Sequence, residues 1–92
     1  KGAIDQLTFS HALSMSAANI RVNAVAPGWI DTPLIQPLKD MPEVFGGIMA
    51  RSPMQRLGKP EEIANVVLFL ASDAASFVNG AIIKVDGAYS IF

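Results

Sequence analysis

The chain has 92 residues, 51% of them apolar and 16% charged, with seven basic side chains against eight acidic ones and a net charge of −1. Charge this balanced and scattered leaves no electrostatic footprint for DNA, RNA or an acidic membrane. The lack of cysteine excludes disulfides, zinc–thiolate sites and thiol catalysis, and a single His with no paired ligand spacing speaks against any metal.

From Gly2 to about Ala18 there is no proline, and Ala, Leu, Met and Gln are frequent, which predicts a helix. At 100° per residue, Ile4, Leu7, Met15 and Ala18 share one side and Phe9 and Leu13 fall roughly opposite. A helix apolar on two sides is usually buried on two sides, one against a sheet and the other against a second helix, plausibly a partner subunit's. Asn19, which tolerates the left-handed conformation, is a suitable stop. Ile20 to Ala26 reads as a strand ended by Pro27-Gly28, and Asp31 or Thr32 can cap a short helical turn beginning at Pro33.

Leu34 to Leu57 is a long connection carrying Pro37, Pro42 and Pro53; connections this long are often binding loops or lids. Pro42 opens a short helix through about Ala50. Pro60 at a first helical position, followed by Glu61 and Glu62 at the positive helix end, starts another helix running to about Ser72. Its buried stripe is expected to be Ile63, Val66, Val67 and Leu70. Ala81 to Val85 forms a last short strand, and Asp86-Gly87 ends it.

The order is helix, strand, lid, helix, strand: an α/β pattern in which two strands joined by a helical crossover predict a parallel βαβ unit. Residues 1–92 make at most one small domain, near the lower limit for burying a stable core, and two strands do not make a stable sheet. The charged fraction is well below the usual quarter, so part of the apolar surface is expected to be covered by further sequence or another subunit. The longest apolar run, Val66 to Ala71, is far short of the roughly 20 residues that cross a bilayer. No basic, hydrophobic leader precedes it, so the expectation is a soluble cytoplasmic protein. The sequence opens on Lys1 without an initiator Met, and no glycine-rich phosphate loop occurs in it.

The most informative stretch is Asn19 to Pro33, NIRVNAVAPGWIDTP. An alternating apolar run stops at a Pro-Gly corner and passes straight into an Asp-Thr-Pro turn, as a parallel strand does when its carboxyl edge presents backbone and one hydroxyl to a ligand. With Lys1-Gly2-Ala3, RLGKPEEIANVVLFLASD (Arg56 to Asp73) and NGAIIKVDG (Asn79 to Gly87), in that order and at plausible spacing, nearly the whole chain resembles the C-terminal part of a short-chain dehydrogenase/reductase.

That resemblance implies the C-terminal part of a Rossmann-type doubly wound parallel sheet and NAD(P)-dependent interconversion of an alcohol and a carbonyl, with NAD or NADP left open. It implies that Lys1, directly before Gly-Ala, is the lysine of a Tyr-x-x-x-Lys motif. The ammonium lowers the tyrosine's pKa and bonds the nicotinamide ribose, so that the phenol can pass a proton. The tyrosine, four residues upstream on the same helix face, and the partnering serine would both lie outside the chain. In the isolated chain, where it is the first residue, Lys1 behaves as a solvated terminal lysine; the catalytic role is what the resemblance implies. Pro27, Gly28, Ile30 and Thr32 match the family's nicotinamide edge: Gly28 clears space for the ring, the Ile30 backbone bonds the carboxamide, and Thr32 offers its hydroxyl. Without the resemblance they read as an ordinary strand-to-loop turn.

Other residues carry blander readings. His11, mid-helix and without a carboxylate at a suitable spacing, is a packed or interfacial histidine before it is a general base. Adjacent helical residues point apart, so Glu61 and Glu62 are solvated charges rather than a catalytic pair. Trp29 packs or lines the mouth of the site. The Met and Phe residues between Met41 and Met54 either line a lipophilic pocket or pack against absent sequence. Ala88 stands where many relatives carry a second glycine. Two functions follow: part of an oxidoreductase, inactive without an N-terminal half and associating as a dimer or tetramer, or a non-catalytic module acting through its two-sided helix and last strand.

Overall fold

The computed structural model describes residues 2–91; Lys1 lies outside the described residues. The chain divides into two compact units, one made of the residues up to Ala26 with Asn65–Ile83, the other of Pro27–Ala64 with the residues from Lys84 onward.

In the first unit, α1 (Gly2–Met15) tightens into a 3₁₀ turn at Ser16–Ala18. Asn19 stops it as expected: its φ is 61°, and its N–H donates to Ser16 C=O at 2.9 Å while Ile20 N–H reaches Met15 C=O at 3.2 Å. The buried face is a correction. Thr8 and Ala12 are buried, whereas Leu7 on the first apolar side is 50% and Leu13 on the second 82% exposed. Small residues win because the backbone turn at Asn79-Gly80 comes close: a Cβ on Gly80, whose φ is +76°, would stand 3.4 Å from the Ala12 methyl. Asn79 Nδ2 donates to Ser16 Oγ at 2.8 Å. A bulky side chain on that face would hold the turn off.

Strand β1 spans Ala24–Pro27 and β2 spans Ile82–Val85. They pair, and they run parallel as expected: Ala24 N–H donates to Ala81 C=O at the start and Gly28 N–H to Val85 C=O at the end. The predicted strand start at Ile20 is wrong by four residues. Side-chain amides replace the ladder there, since Val22 N–H donates to Asn79 Oδ1 and Ala81 N–H to Asn23 Oδ1, each at 2.9 Å. Arg21 adds two bonds, to the carbonyls of Val78 and Ser72. A side chain that satisfies the backbone competes with regular pairing.

Helix α4 (Pro60–Ala71) starts where Pro60 predicts. Of the expected stripe, Leu70 is buried and Ile63 and Val66 are half-buried, but Val67 is 49% exposed. Glu62 is solvent-exposed at the helix start, as expected, and it also bonds there. Its carboxylate takes both terminal nitrogens of Arg56, at 2.8 and 2.9 Å, and accepts the Lys59 N–H at 2.8 Å. It is the returning half of a capping box while its side chain stays 41% exposed.

In the second unit the segment 34–57 is more helical than expected. A 3₁₀ turn at Pro33–Ile35 leads into α2 (Gln36–Lys39) and then α3 (Pro42–Ala50). The second helix was hidden by Pro37, which sits in its first turn where no N–H is needed. Thr32 has the extended backbone of a capping position, but no side-chain cap forms at this turn. Asp31 turns its carboxylate to Lys39 Nζ instead, at 2.6 Å.

After β2, Asp86 organises the turn. Its carboxylate accepts the N–H groups of Ala88 at 3.0 Å and Ser90 at 3.2 Å. The Ser90 side chain, followed by these amides, holds its pKa below the ordinary carboxylate value. Ala88 has φ 70°, the left-handed region in which a Cβ costs about 1–2 kcal/mol. A glycine would adopt that angle without the cost. Ala88→Gly should therefore stabilise the protein by about 1 kcal/mol, read as a raised denaturation midpoint at unchanged m-value; an unchanged or lowered midpoint contradicts the strain.

The Arg56 hydrogen bonds, then the Lys59 amide, pull Glu62 down to about 2 from the ordinary 4.5. A depressed carboxylate stabilises above its unfolded pKa and loses that contribution as protons bind. The α4 start should therefore be fully held above pH 4.5 and released as pH falls towards 2. A carbon-detected NMR titration should place the Glu62 midpoint near 2, and Arg56→Met should move it towards 4.5.

Candidate functional site

The residues singled out at the Pro-Gly corner lie together in the second unit, on a rim that runs from Pro27 to Thr32. Alternate residues of β1 bond to β2, so Pro27, which has no N–H, stands at a position facing away, and the Gly28 amide donates to Val85 C=O at 3.0 Å. A Cβ on Gly28 would lie 2.7 Å from Asp86 Cβ and 2.8 Å from its Cα. Those distances make glycine obligatory because of the neighbouring chain, whatever lies on the other side of the residue.

The rim is then tied back by a parallel bridge between Ile30 and Gly58. Gly58 N–H donates to Trp29 C=O at 2.9 Å, and Asp31 N–H donates to Gly58 C=O at 2.8 Å. In extended chain, a residue flanked by two such bonding groups turns its own N–H and C=O to the opposite side. Among the described residues, neither peptide group of Ile30 has a partner. Thr32 spends its carbonyl on Ile35 N–H at 3.0 Å, while its hydroxyl makes no capping bond. The rim thus offers one donor, one acceptor and a hydroxyl that can act as either.

Beside the rim is a cavity of about 240 Å³ lined by Trp29, Ile30, Met54, Arg56, Asp86 and Tyr89, among others. Trp29 meets Tyr89 edge-on, with ring centroids 6.4 Å apart, and the Arg51 guanidinium lies 5.3 Å from the centre of the Tyr89 ring. Trp29 lines this cavity. Met54 lines it too, whereas Met41 and Val44 are about half exposed. Tyr89 and Arg51 have no motif that would single them out, and neither does the Asp31–Lys39 pair, whose eight-residue separation fits no common helix face.

The remaining candidates are dispersed. Lys1 lies outside the described residues. His11 is exposed on α1 and makes no ion pair among the described residues. Among those residues no cluster of His, Asp and Glu could hold a metal ion, and no helix is long and apolar enough to cross a membrane. Because Asp86 Cα cannot move aside as a side-chain tip would, Gly28→Ala should cost about 1–3 kcal/mol in stability before any ligand is added. A Gly28→Ala protein with an unchanged denaturation midpoint is incompatible with the observed approach.

With this geometry in hand, the known relatives can be set beside it. The family described as Enoyl-(Acyl carrier protein) reductase matches residues 1–90. A cis-4-hydroxycyclohexanecarboxylate dehydrogenase of Sinomonas cyclohexanicum is 52% identical over 98% of this chain and 35% of its own length. An L-tagatose-forming galactitol 2-dehydrogenase of Cereibacter sphaeroides is 46% identical over 100% of this chain and 36% of its own. Among solved structures, a putative 2-deoxy-D-gluconate 3-dehydrogenase of Agrobacterium tumefaciens with bound NADP superposes with a TM-score of 0.93 at 38% identity, over 97% of this chain and 36% of that one. The chain therefore spans about a third of the length of the relatives it matches. On the family match, these identities and the shared fold, the chain belongs to the short-chain dehydrogenase/reductase family.

Proposed function

We propose that this chain forms the nicotinamide edge and substrate lid of an NAD(P)-dependent oxidoreductase that interconverts an alcohol and a carbonyl by hydride transfer. In this reading it is the C-terminal part of a doubly wound Rossmann-type domain. The observation that carries the proposal is the Ile30–Gly58 bridge, which leaves both peptide groups of Ile30 unpartnered beside the free Thr32 hydroxyl. A primary carboxamide needs one acceptor for its NH₂ and one donor for its oxygen, and a single extended residue offers both. The residues present therefore fit a nicotinamide.

When bound, the nicotinamide supplies or takes the hydride. The chain's own part is to hold and orient. Ile30 N–H donates to the carboxamide oxygen and Ile30 C=O accepts from its nitrogen. Thr32 contributes its hydroxyl to the carboxamide or to a cofactor phosphate. The segment 34–57 covers the alcohol or carbonyl substrate and excludes water. Lys1 holds the ribose and lowers the pKa of a tyrosine supplied by sequence beyond these 92 residues. Support for an alcohol substrate comes from relatives named as dehydrogenases of a hydroxycyclohexanecarboxylate and of galactitol.

The exposed apolar residues of α1, Ile4, Leu7 and Leu13 among them, support a chain covered by the rest of such a domain and by other subunits in a dimer or tetramer. The same surface is what a non-catalytic association module would use, so activity decides between the two. The 92-residue chain alone should oxidise neither NADH nor NADPH with a panel of ketones, because it lacks the general acid/base tyrosine, a step worth about 10²–10⁴-fold. Grafted in place of the matched third of the Sinomonas enzyme, and in parallel of the Cereibacter enzyme, it should support turnover. Thr32→Ala in the graft should raise the cofactor KM roughly three- to tenfold, the worth of one hydrogen bond. Folded grafts without turnover, or an unchanged KM in Thr32→Ala, would overturn the reading.

A further inference from the structure

The ion pair between Lys39 and Asp31 is placed where an ordinary surface pair would not be. Asp31 stands between Ile30 and Thr32, the two residues whose free groups form the rim. Its backbone is already held, since its N–H donates to Gly58 C=O at 2.8 Å. Lys39, in the last turn of α2, takes its carboxylate at 2.6 Å. Residue 31 is thus pinned at its backbone and at its side chain.

The pair also closes a hook. At its near end, α2 is fastened to the rim by Ile35 N–H donating to Thr32 C=O at 3.0 Å. At its far end, Lys39 returns to Asp31. The chain then passes directly into α3 through Met41 N–H to Leu38 C=O and Phe45 N–H to Met41 C=O. A four-residue helix has little stability of its own, so these two fastenings, together with its packing on α3, hold it in place. The side chains of Lys39 and Asp31 are 30% and 51% exposed, which makes the far fastening responsive to salt.

We propose that Lys39 is a positioning residue of the cofactor site: it acts through Asp31 to hold the Ile30 and Thr32 groups in register and to set α2 as the first turn of the lid. This rests on the nicotinamide-edge reading above. Lys39 touches no reacting atom; it fixes the residue between the two that would touch the cofactor.

The test uses the grafted enzymes, with Lys39→Met, the reversed pair Lys39→Asp/Asp31→Lys, and Thr32→Ala alongside. Without cofactor, amide hydrogen exchange at Ile35 and Met41 should quicken about two- to fivefold in Lys39→Met, the range an exposed ion pair supports. With cofactor, its KM should rise by a similar factor while kcat stays within twofold, and the reversed pair should restore both readouts. In 1 M salt the difference between wild type and Lys39→Met should close. Unchanged exchange at Ile35 and Met41, or no recovery in the reversed pair, overturns the latch. Quickened exchange with an unchanged KM, in a protein where Thr32→Ala does raise KM, overturns the positioning role alone. If Thr32→Ala also leaves KM unchanged, it is the nicotinamide-edge reading that has failed.

Discussion

Two hydrogen bonds, both made by Gly58, determine whether the rim exists. They close the whole of segment 31–57 on itself, and closing a loop of that length costs about 3 kcal/mol in chain entropy beyond a constant term. Two backbone hydrogen bonds contribute roughly 1 kcal/mol each, which does not cover it. The remainder must come from within the loop and its neighbours. The structure shows the contributors: α3, the Arg56–Glu62 pair at the loop's exit, Lys39–Asp31 at its entrance, and the contact of Trp29 with Tyr89. The site's geometry is therefore a property of the segment as a unit, and changes far from Ile30 in sequence can reach it through Gly58.

Coverage is the second constraint. Among the described residues the buried apolar side chains are Ala12, Leu70 and Ala75, while Leu34, Leu13 and Phe77 are almost entirely exposed. Such a core holds little hydrophobic free energy against the entropy of ordering the chain. The elements that are secure do not rely on it. They are stitched by polar contacts: the Asn23 and Asn79 amides at the start of the sheet, Arg21 on two carbonyls, and the carboxylates of Glu62 and Asp86 on backbone N–H groups. A backbone satisfied this way keeps its local form and leaves its apolar faces for something larger to cover.

What could be read in the sequence follows the same division. Signals that depend on one residue's backbone chemistry were legible: Asn19 as a left-handed stop, Pro42 and Pro60 as helix openers, and the parallel relation of two strands joined through a helix. Signals that depend on what a side chain meets elsewhere were not. Periodicity placed the large residues of α1 inward, but the turn at Gly80 comes up against Ala12, because only a small side chain lets a backbone approach. Alternation started β1 at Ile20, but Asn79 had already taken the Val22 amide. Helix geometry left Glu62 as a solvated charge, which it is, but gave no sign that Arg56, six residues back across a turn, was within reach. The rim itself was visible as a Pro-Gly corner followed by a threonine, yet its orientation was not, since nothing local to Ile30 points to Gly58.

Gly28 shows how a resemblance and a packing constraint can single out the same residue for different reasons. The family reading assigns glycine there to a ligand's approach, and the structure assigns it to Asp86. The two are compatible, because a glycine has two faces and Asp86 occupies only the one a Cβ would enter. A strand end pressed this closely against its neighbour cannot recede, and a rim that cannot recede is preorganised for whatever it binds. The closeness of β1 to β2 at their carboxyl ends, set by a residue without a side chain, is in this way part of the rim's geometry, and Val85 and Asp86 also line the cavity beside it.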